Sequence, residues 1–200
     1  MPVEDQPADL KIILLGDSAA GKTKLVERFL VQSYSQQTSS TYAITVFRHS
    51  TKHPTTGQSL AIDFYDTAGQ ERFASMHASY YYGAHACLLC FDLTRKVTYK
   101  NLDNWYRELR QYRPKIPVLI LANKVDVQPE MAKRDFKFAV ENQLPVMFVS
   151  ASDGTNVVAA FETIISRALD YKASPDRDFM DDVLDMLRDT PSPATALAPL

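Results

Sequence analysis

The segment Gly16-Asp17-Ser18-Ala19-Ala20-Gly21-Lys22-Thr23 restricts the possible folds of this chain more than any other. It fits the pattern G-x-x-x-x-G-K-[ST] and lies between a buried-strand run, Leu10 to Leu15, and a helical period, Lys22 to Val31. A glycine-rich turn in that context wraps its backbone around a di- or triphosphate. Successive N–H groups and the helix N-terminus then face the negative oxygens. Lys22 is expected to reach the β- and γ-phosphates and the Thr23 hydroxyl to ligate magnesium, with Lys24 beside them in the first helical turn. An ordinary glycine-rich turn does not explain Lys22-Thr23 at this spacing.

The rest of the chain supplies a sheet for that turn. Ala43 to Thr51 and Ser59 to Tyr65 read as strands joined by a surface turn at Pro54-Thr-Thr-Gly57. Ala86 to Asp92, Val118 to Ala122 and Val146 to Val149 are further apolar runs. Helical periods fall between them at Thr98 to Tyr112, Glu130 to Asn142 and Asn156 to Tyr171. Alternating strands and helices predict an α/β domain with a mostly parallel sheet, which binds ligands at the carboxyl ends of its strands. A hydrophobic fraction of 46% over 200 residues suffices for one such core. The expected organisation is a flexible start over 1–8, one domain over 9–174 and a tail over 175–200. Within the tail, Phe179, Met180, Val183, Leu184 and Leu187 recur at helical spacing among acids, predicting a helix over 176–188. That helix either binds a partner or folds back on its own domain. From Thr190 onward, Pro, Ala, Ser and Thr predict disorder.

Two further motifs follow strand ends. In Asp66-Thr-Ala-Gly69-Gln70-Glu71, Asp66 is placed to hold magnesium, Gly69 to donate its N–H to a γ-phosphate, and Gln70 to orient a water for in-line attack. In Asn123-Lys124-Val125-Asp126, the aspartate can accept from N1–H and the N2 amino group of guanine together. Adenine offers no such pair of donors and would leave a buried charge unsatisfied. Ser150-Ala151-Ser152 follows the last apolar run, and the Ala151 N–H can donate to guanine O6. Asp126 therefore selects GTP and GDP over ATP.

A net charge of −2 gives no sign of nucleic-acid binding or of a polybasic membrane patch. The chain has two cysteines, Cys87 and Cys90. They sit three apart in an apolar strand, point to opposite faces and read as core thiols in a reducing compartment. The acidic start, with Pro2, predicts neither a signal peptide nor myristoylation, and the cysteine-free end predicts no prenylation. A cytosolic protein, monomeric when free, is expected.

Taken together, these elements resemble the Ras superfamily, and more narrowly the Rab type, from about residue 9 to about residue 172. Asp66-Thr-Ala-Gly-Gln-Glu-Arg-Phe73, Ser79-Tyr-Tyr-Tyr-Gly-Ala84 and Phe91-Asp-Leu-Thr94 carry the likeness. The resemblance implies a P-loop NTPase fold with a six-stranded, mostly parallel sheet, one antiparallel strand and helices on both faces. It also implies Thr41 as the first-switch sensor of magnesium and γ-phosphate, Tyr34 as an aromatic beside the guanine, and effector proteins that bind the switch regions. Three features depart from the Rab pattern. Ser40-Thr41-Tyr42-Ala43-Ile44 stands where Rabs carry Thr-Ile-Gly, on the surface their effectors read. Ser152 replaces a lysine whose stem packs beside the base, so faster GDP release is expected. The carboxyl end lacks the lipidated cysteines. Ser75-Met-His-Ala-Ser-Tyr-Tyr-Tyr82, Lys96-Val-Thr-Tyr99 and Ser152-Asp-Gly-Thr-Asn-Val-Val158 are similar to the second Rab-like family, associated with cilia. This likeness implies recruitment at the ciliary base and binding to the intraflagellar transport B complex when GTP-loaded.

Two other readings compete with a slow GTPase switch. One is a GTP-stabilised scaffold with negligible hydrolysis, against which Gln70, Thr41 and the metal set argue. The other is an ATP-dependent kinase, against which Asp126 argues.

Overall fold

The computed structural model describes residues 7–31, 44–67 and 77–174, together with 176, 178, 179, 181, 183 and 186. Six strands run through it: β1 (Leu10–Leu15), β2 (Ile44–Lys52), β3 (Ser59–Thr67), β4 (Ala86–Asp92), β5 (Val118–Asn123) and β6 (Val146–Val149). They form one sheet in the order β2-β3-β1-β4-β5-β6. β2 pairs antiparallel with β3 and every other neighbour is parallel. The expected α/β sheet with one antiparallel strand is thus present.

Each central strand is buried on both faces, so its residues alternate between two cores. Leu10, Ile12, Leu14, Leu88 and Cys90 pack with helices α1 (Lys22–Val31) and α6 (Val157–Ala173). Ile13, Leu15, Cys87, Leu89 and Phe91 pack on the other side with α2 (His77–Tyr81), α4 (Leu102–Tyr112) and α5 (Lys137–Glu141). The two thiols therefore lie in different cores, both fully buried. Burial pushes Cys90 up to about 12 and also pushes the Cys87 thiol well up, so both stay protonated.

Two expected helices are broken. The period Thr98 to Tyr112 forms α3 (Lys96–Lys100) and α4, divided at Asn101. Asn101 closes the first helix through its N–H to Val97 O (3.1 Å) and opens the second, while its side chain is drawn toward Asp17. The period Glu130 to Asn142 forms a 3₁₀ turn at Pro129–Lys133, then α5. Arg134 and Phe136 between them are extended, and the Phe136 ring packs on Phe91 and Tyr99, each at 5.2 Å. Packing the aromatic overrides helical continuation there.

Both alternatives for the tail concern residues the structure describes in part. Residues 179, 181, 183 and 186 are helical, and the segment lies against its own domain. It docks through acids: Asp178 and Asp181 are buried against Arg113, which is itself 2% exposed. Of the apolar positions at helical spacing, Phe179 faces solvent at 78% exposure and Val183 is half-buried, whereas Met180, Leu184 and Leu187 fall outside the described residues. Among the described residues, no helix is long and apolar enough to cross a membrane.

Candidate nucleotide site

The three motifs converge because β1, β3, β5 and β6 all end on one edge of the sheet. Leu14 stands beside Asp66 in the register of β1 and β3, and Asn123 beside Val149 in that of β5 and β6. Gly16 leaves β1 with φ +135°, and a Cβ there would lie 2.1 Å from the Cys90 carbonyl. Only glycine permits that approach to β4. Ala19 (φ +62°) and Gly21 (φ +94°) continue the turn, so the loop curls tightly before α1 begins.

Lys22 is 4% exposed and lies along this loop, donating to the carbonyls of Gly16 (2.6 Å) and Asp17 (3.0 Å). Burial lowers its pKa, and the charge of Asp66 pulls the other way. A buried ammonium in an anion-binding loop is the group a phosphate would satisfy. The Thr23 hydroxyl donates to Asp66 Oδ2, and Asp66 is fully buried. Hydroxyl and carboxylate oxygens together are the hard donor set that magnesium takes. Two of the three residues expected to hold the metal, Thr23 and Asp66, are therefore in contact, although 43 positions apart. The Lys24 side chain instead pairs with Glu27 on its own helix (2.8 Å).

Asn123 ties the loop after β1 to the loop after β6. Its Nδ2 donates to Ala20 O (2.8 Å), while its Oδ1 accepts from Lys124 N–H (2.8 Å) and Ala151 N–H (3.2 Å). A Cβ on Gly21 would meet that Nδ2 at 2.2 Å. Ala151 N–H thus has an internal partner, and donating to a base oxygen requires it to share or exchange that bond. Lys124 turns back with φ +67°, placing its ammonium 2.6 Å from Asp92 Oδ2. Burial alone would raise the Asp92 carboxyl. Lys124 and the N–H and hydroxyl of Thr94 outweigh that and hold it below its ordinary value. Asp126 follows on the exposed turn. Ser150 is buried, and its Oγ accepts from Asp153 N–H (3.2 Å), closing the loop that carries Ala151 and Ser152. Arg28 of α1 donates to the carbonyls of Ala151 (3.1 Å) and Ser152, a tie that the sequence reading missed.

Of the predicted set, Gly16, Asp17, Ser18, Ala19, Ala20, Gly21, Lys22, Thr23, Lys24, Asp66, Asn123, Lys124, Asp126, Ser150, Ala151 and Ser152 lie along this edge. Tyr34, Thr41, Gly69 and Gln70 fall outside the described residues. Of the aromatics in Ser79–Ala84, Tyr80 and Tyr81 are core: Tyr80 donates to Tyr65 O (2.6 Å) and Tyr81 is 1% exposed. Tyr82 remains at the surface.

Residues 11–170 match the Ras family, and the chain belongs to it as a Rab-like small GTPase, a GTP-binding switch. Within that class it is similar to Rab-like protein 2A of Mus musculus, with 53% identity over 183 residues, 92% of this chain and 81% of the relative. Rab-like protein 2A of Pongo abelii is 52% identical over 183 residues, 92% of this chain and 79% of that one. Rab-like protein 2B of Homo sapiens is 51% identical over the same length, again 92% of this chain and 78% of the relative.

Proposed function

We propose that the protein holds GTP or GDP with magnesium through residues 16–24, Asp66, Asn123, Lys124, Asp126 and 150–152. In this reading it hydrolyses GTP slowly and recruits effectors while GTP is bound. The observation that carries this is the convergence of a buried lysine, a hydroxyl–carboxylate pair and the Asn123 bridge on one sheet edge. The γ-phosphate orders two loops through Thr41 and Gly69, and hydrolysis releases them. Gln70 orients the attacking water. Without an arginine from a partner, turnover is on the order of 10⁻⁴ s⁻¹.

The protein works at the ciliary base and in the cilium, and its GTP-bound effector is the intraflagellar transport B complex, with a separate recruiter at the base. This reading rests on the likeness of residues 75–82, 96–99 and 152–158 to the second Rab-like family, and on the similarity to Rab-like proteins 2A and 2B.

Single-turnover hydrolysis with magnesium tests the core of the proposal. The wild type should lose γ-phosphate slowly, and Gln70→Leu should do so at least about tenfold more slowly, the loss typical for a water-positioning group. GTP left intact by both proteins would move a GTP-stabilised scaffold ahead. A second expectation concerns retention. Ser152→Lys restores a stem beside the base and should slow GDP release severalfold, roughly the effect of burying two or three methylenes in part. An unchanged off-rate would remove Ser152 as the cause of fast exchange.

A further inference from the structure

Helix α4 carries the single tryptophan of the chain, Trp105, and neither it nor Asn101 figures in the site described above. Both reach the phosphate loop. Trp105 Nε1 donates to Asp17 Oδ1 at 2.8 Å, and Asn101 Nδ2 donates to Asp17 Oδ2 at 2.8 Å. Trp105 is 6% exposed and Asp17 8%. Next to them, Arg95 donates to the Ser18 carbonyl at 3.0 Å. Two successive residues of the loop are therefore held from outside it, by side chains on or just before α3 and α4.

Asp17 makes that hold consequential. A carboxylate is the wrong charge for a loop that must surround phosphate, since like charges in one site destabilise each other. Here both of its oxygens are engaged by donors on the α3–α4 side. Its backbone carbonyl meanwhile accepts from Lys22 (3.0 Å) and from Ala20 N–H (3.2 Å). The residue thus faces two ways: main chain toward the cradle, charge toward α4.

We propose that Trp105 and Asn101 are positioning residues of the nucleotide site. By binding both oxygens of Asp17 they fix the first turn of the phosphate loop and keep its negative charge turned away from the bound phosphates. The inference rests on the guanine-nucleotide reading above. A tryptophan that merely filled the core would owe its effect to packing, with Leu102 and Leu109 buried beside it on the same helix. Phenylalanine keeps most of that packing and lacks only the donor.

The test is release of tritiated GDP from the full-length protein into excess unlabelled GDP with magnesium, followed by filter binding. Trp105→Phe should release GDP about tenfold faster, equivalent to about 1.4 kcal/mol. Asn101→Ala, at a half-buried position outside the core, should accelerate release in the same direction without disturbing the fold. In an Asp17→Ala background, Trp105→Phe should add nothing, because the charge it restrains is gone. Unchanged release from both single variants overturns the proposal. So does an acceleration by Trp105→Phe that persists in the Asp17→Ala background, because that identifies a packing effect. A wild type that retains no GDP at all defeats the nucleotide reading and this inference together. Retention by the wild type with inert variants defeats the inference alone.

Discussion

Asp126→Asn should weaken GDP binding by about 10⁴-fold and turn the site toward xanthosine nucleotides. The turn that carries Asp126 is fixed on both sides. Val125 N–H donates to Val149 O (3.2 Å), Val127 N–H to Lys124 O (3.1 Å), and Asn123 Oδ1 holds the Lys124 N–H. The substitution therefore changes the chemistry at one position on a turn whose neighbours hold its backbone. A carboxylate there accepts from N1–H and N2 of guanine together. An asparagine offers one acceptor and one donor, and the donor meets the guanine amino group. Leaving such a pair unmatched in a site built for it discriminates by about 10⁴ or more, or about 5.5 kcal/mol. Xanthine has a carbonyl in place of that amino group, so it matches the asparagine. Titration calorimetry with GDP and xanthosine diphosphate reads both effects. GDP binding by the variant within about tenfold of wild type would remove Asp126 from base recognition. Tighter binding of ATP than GTP by the wild type would reopen the kinase reading.

The sequence exposed the parts of this site that depend on short local spacing. Gly16, Gly21, Lys22 and Thr23 are legible because their roles fall within one turn after a strand, and Asp66, Asn123 and Ser150 because each follows an apolar run. Parallel strands with helical crossovers place such ends on one edge, so the convergence could be expected before any distance was known. What stayed hidden are the contacts that cross between those parts. Asp17 to Trp105 spans 88 positions, and Arg28 to Ala151 spans 123. No periodicity marks either, and each residue has a sufficient local reading as loop, core or surface. The tail is a further case of a contact between distant parts. Its apolar spacing was plain, but docking runs through acids whose partner, Arg113, lies 68 positions before Asp181 and reads in isolation as the solvated end of a helix.

Arg113→Leu should destabilise the full-length protein by about 3–5 kcal/mol, or else release the tail, because it leaves two buried carboxylates without their cation. The guanidinium donates to Asp181 Oδ2 at 2.7 Å and lies 3.5 Å from Asp178 Oδ2. Tyr171 completes the cluster, donating to Asp181 (2.7 Å) and accepting from Asp178 N–H (2.9 Å). Burial first, and then the carboxylate of Asp181, push the Tyr171 phenol well above its ordinary range, so it remains a donor across physiological pH. Asp178 is the weaker partner, because among the described residues its carboxylate oxygens accept no hydrogen bond. Without Arg113 the two acids can escape the cost by leaving the surface, which costs only the docking energy of the tail. The loss in global stability is therefore capped at that energy, and the excess appears as undocking. Hydrogen exchange should show amides near Asp178 and Asp181 losing protection in Arg113→Leu, while β1, β4 and β5 keep theirs. Adding Asp178→Asn and Asp181→Asn removes the stranded charges and should recover most of the lost stability, a strongly non-additive result. Equal destabilisation with and without those two substitutions would mean that Arg113 acts through the packing of its buried stem and its contact with Tyr171 Oη (3.4 Å), and that the acids do not hold the tail.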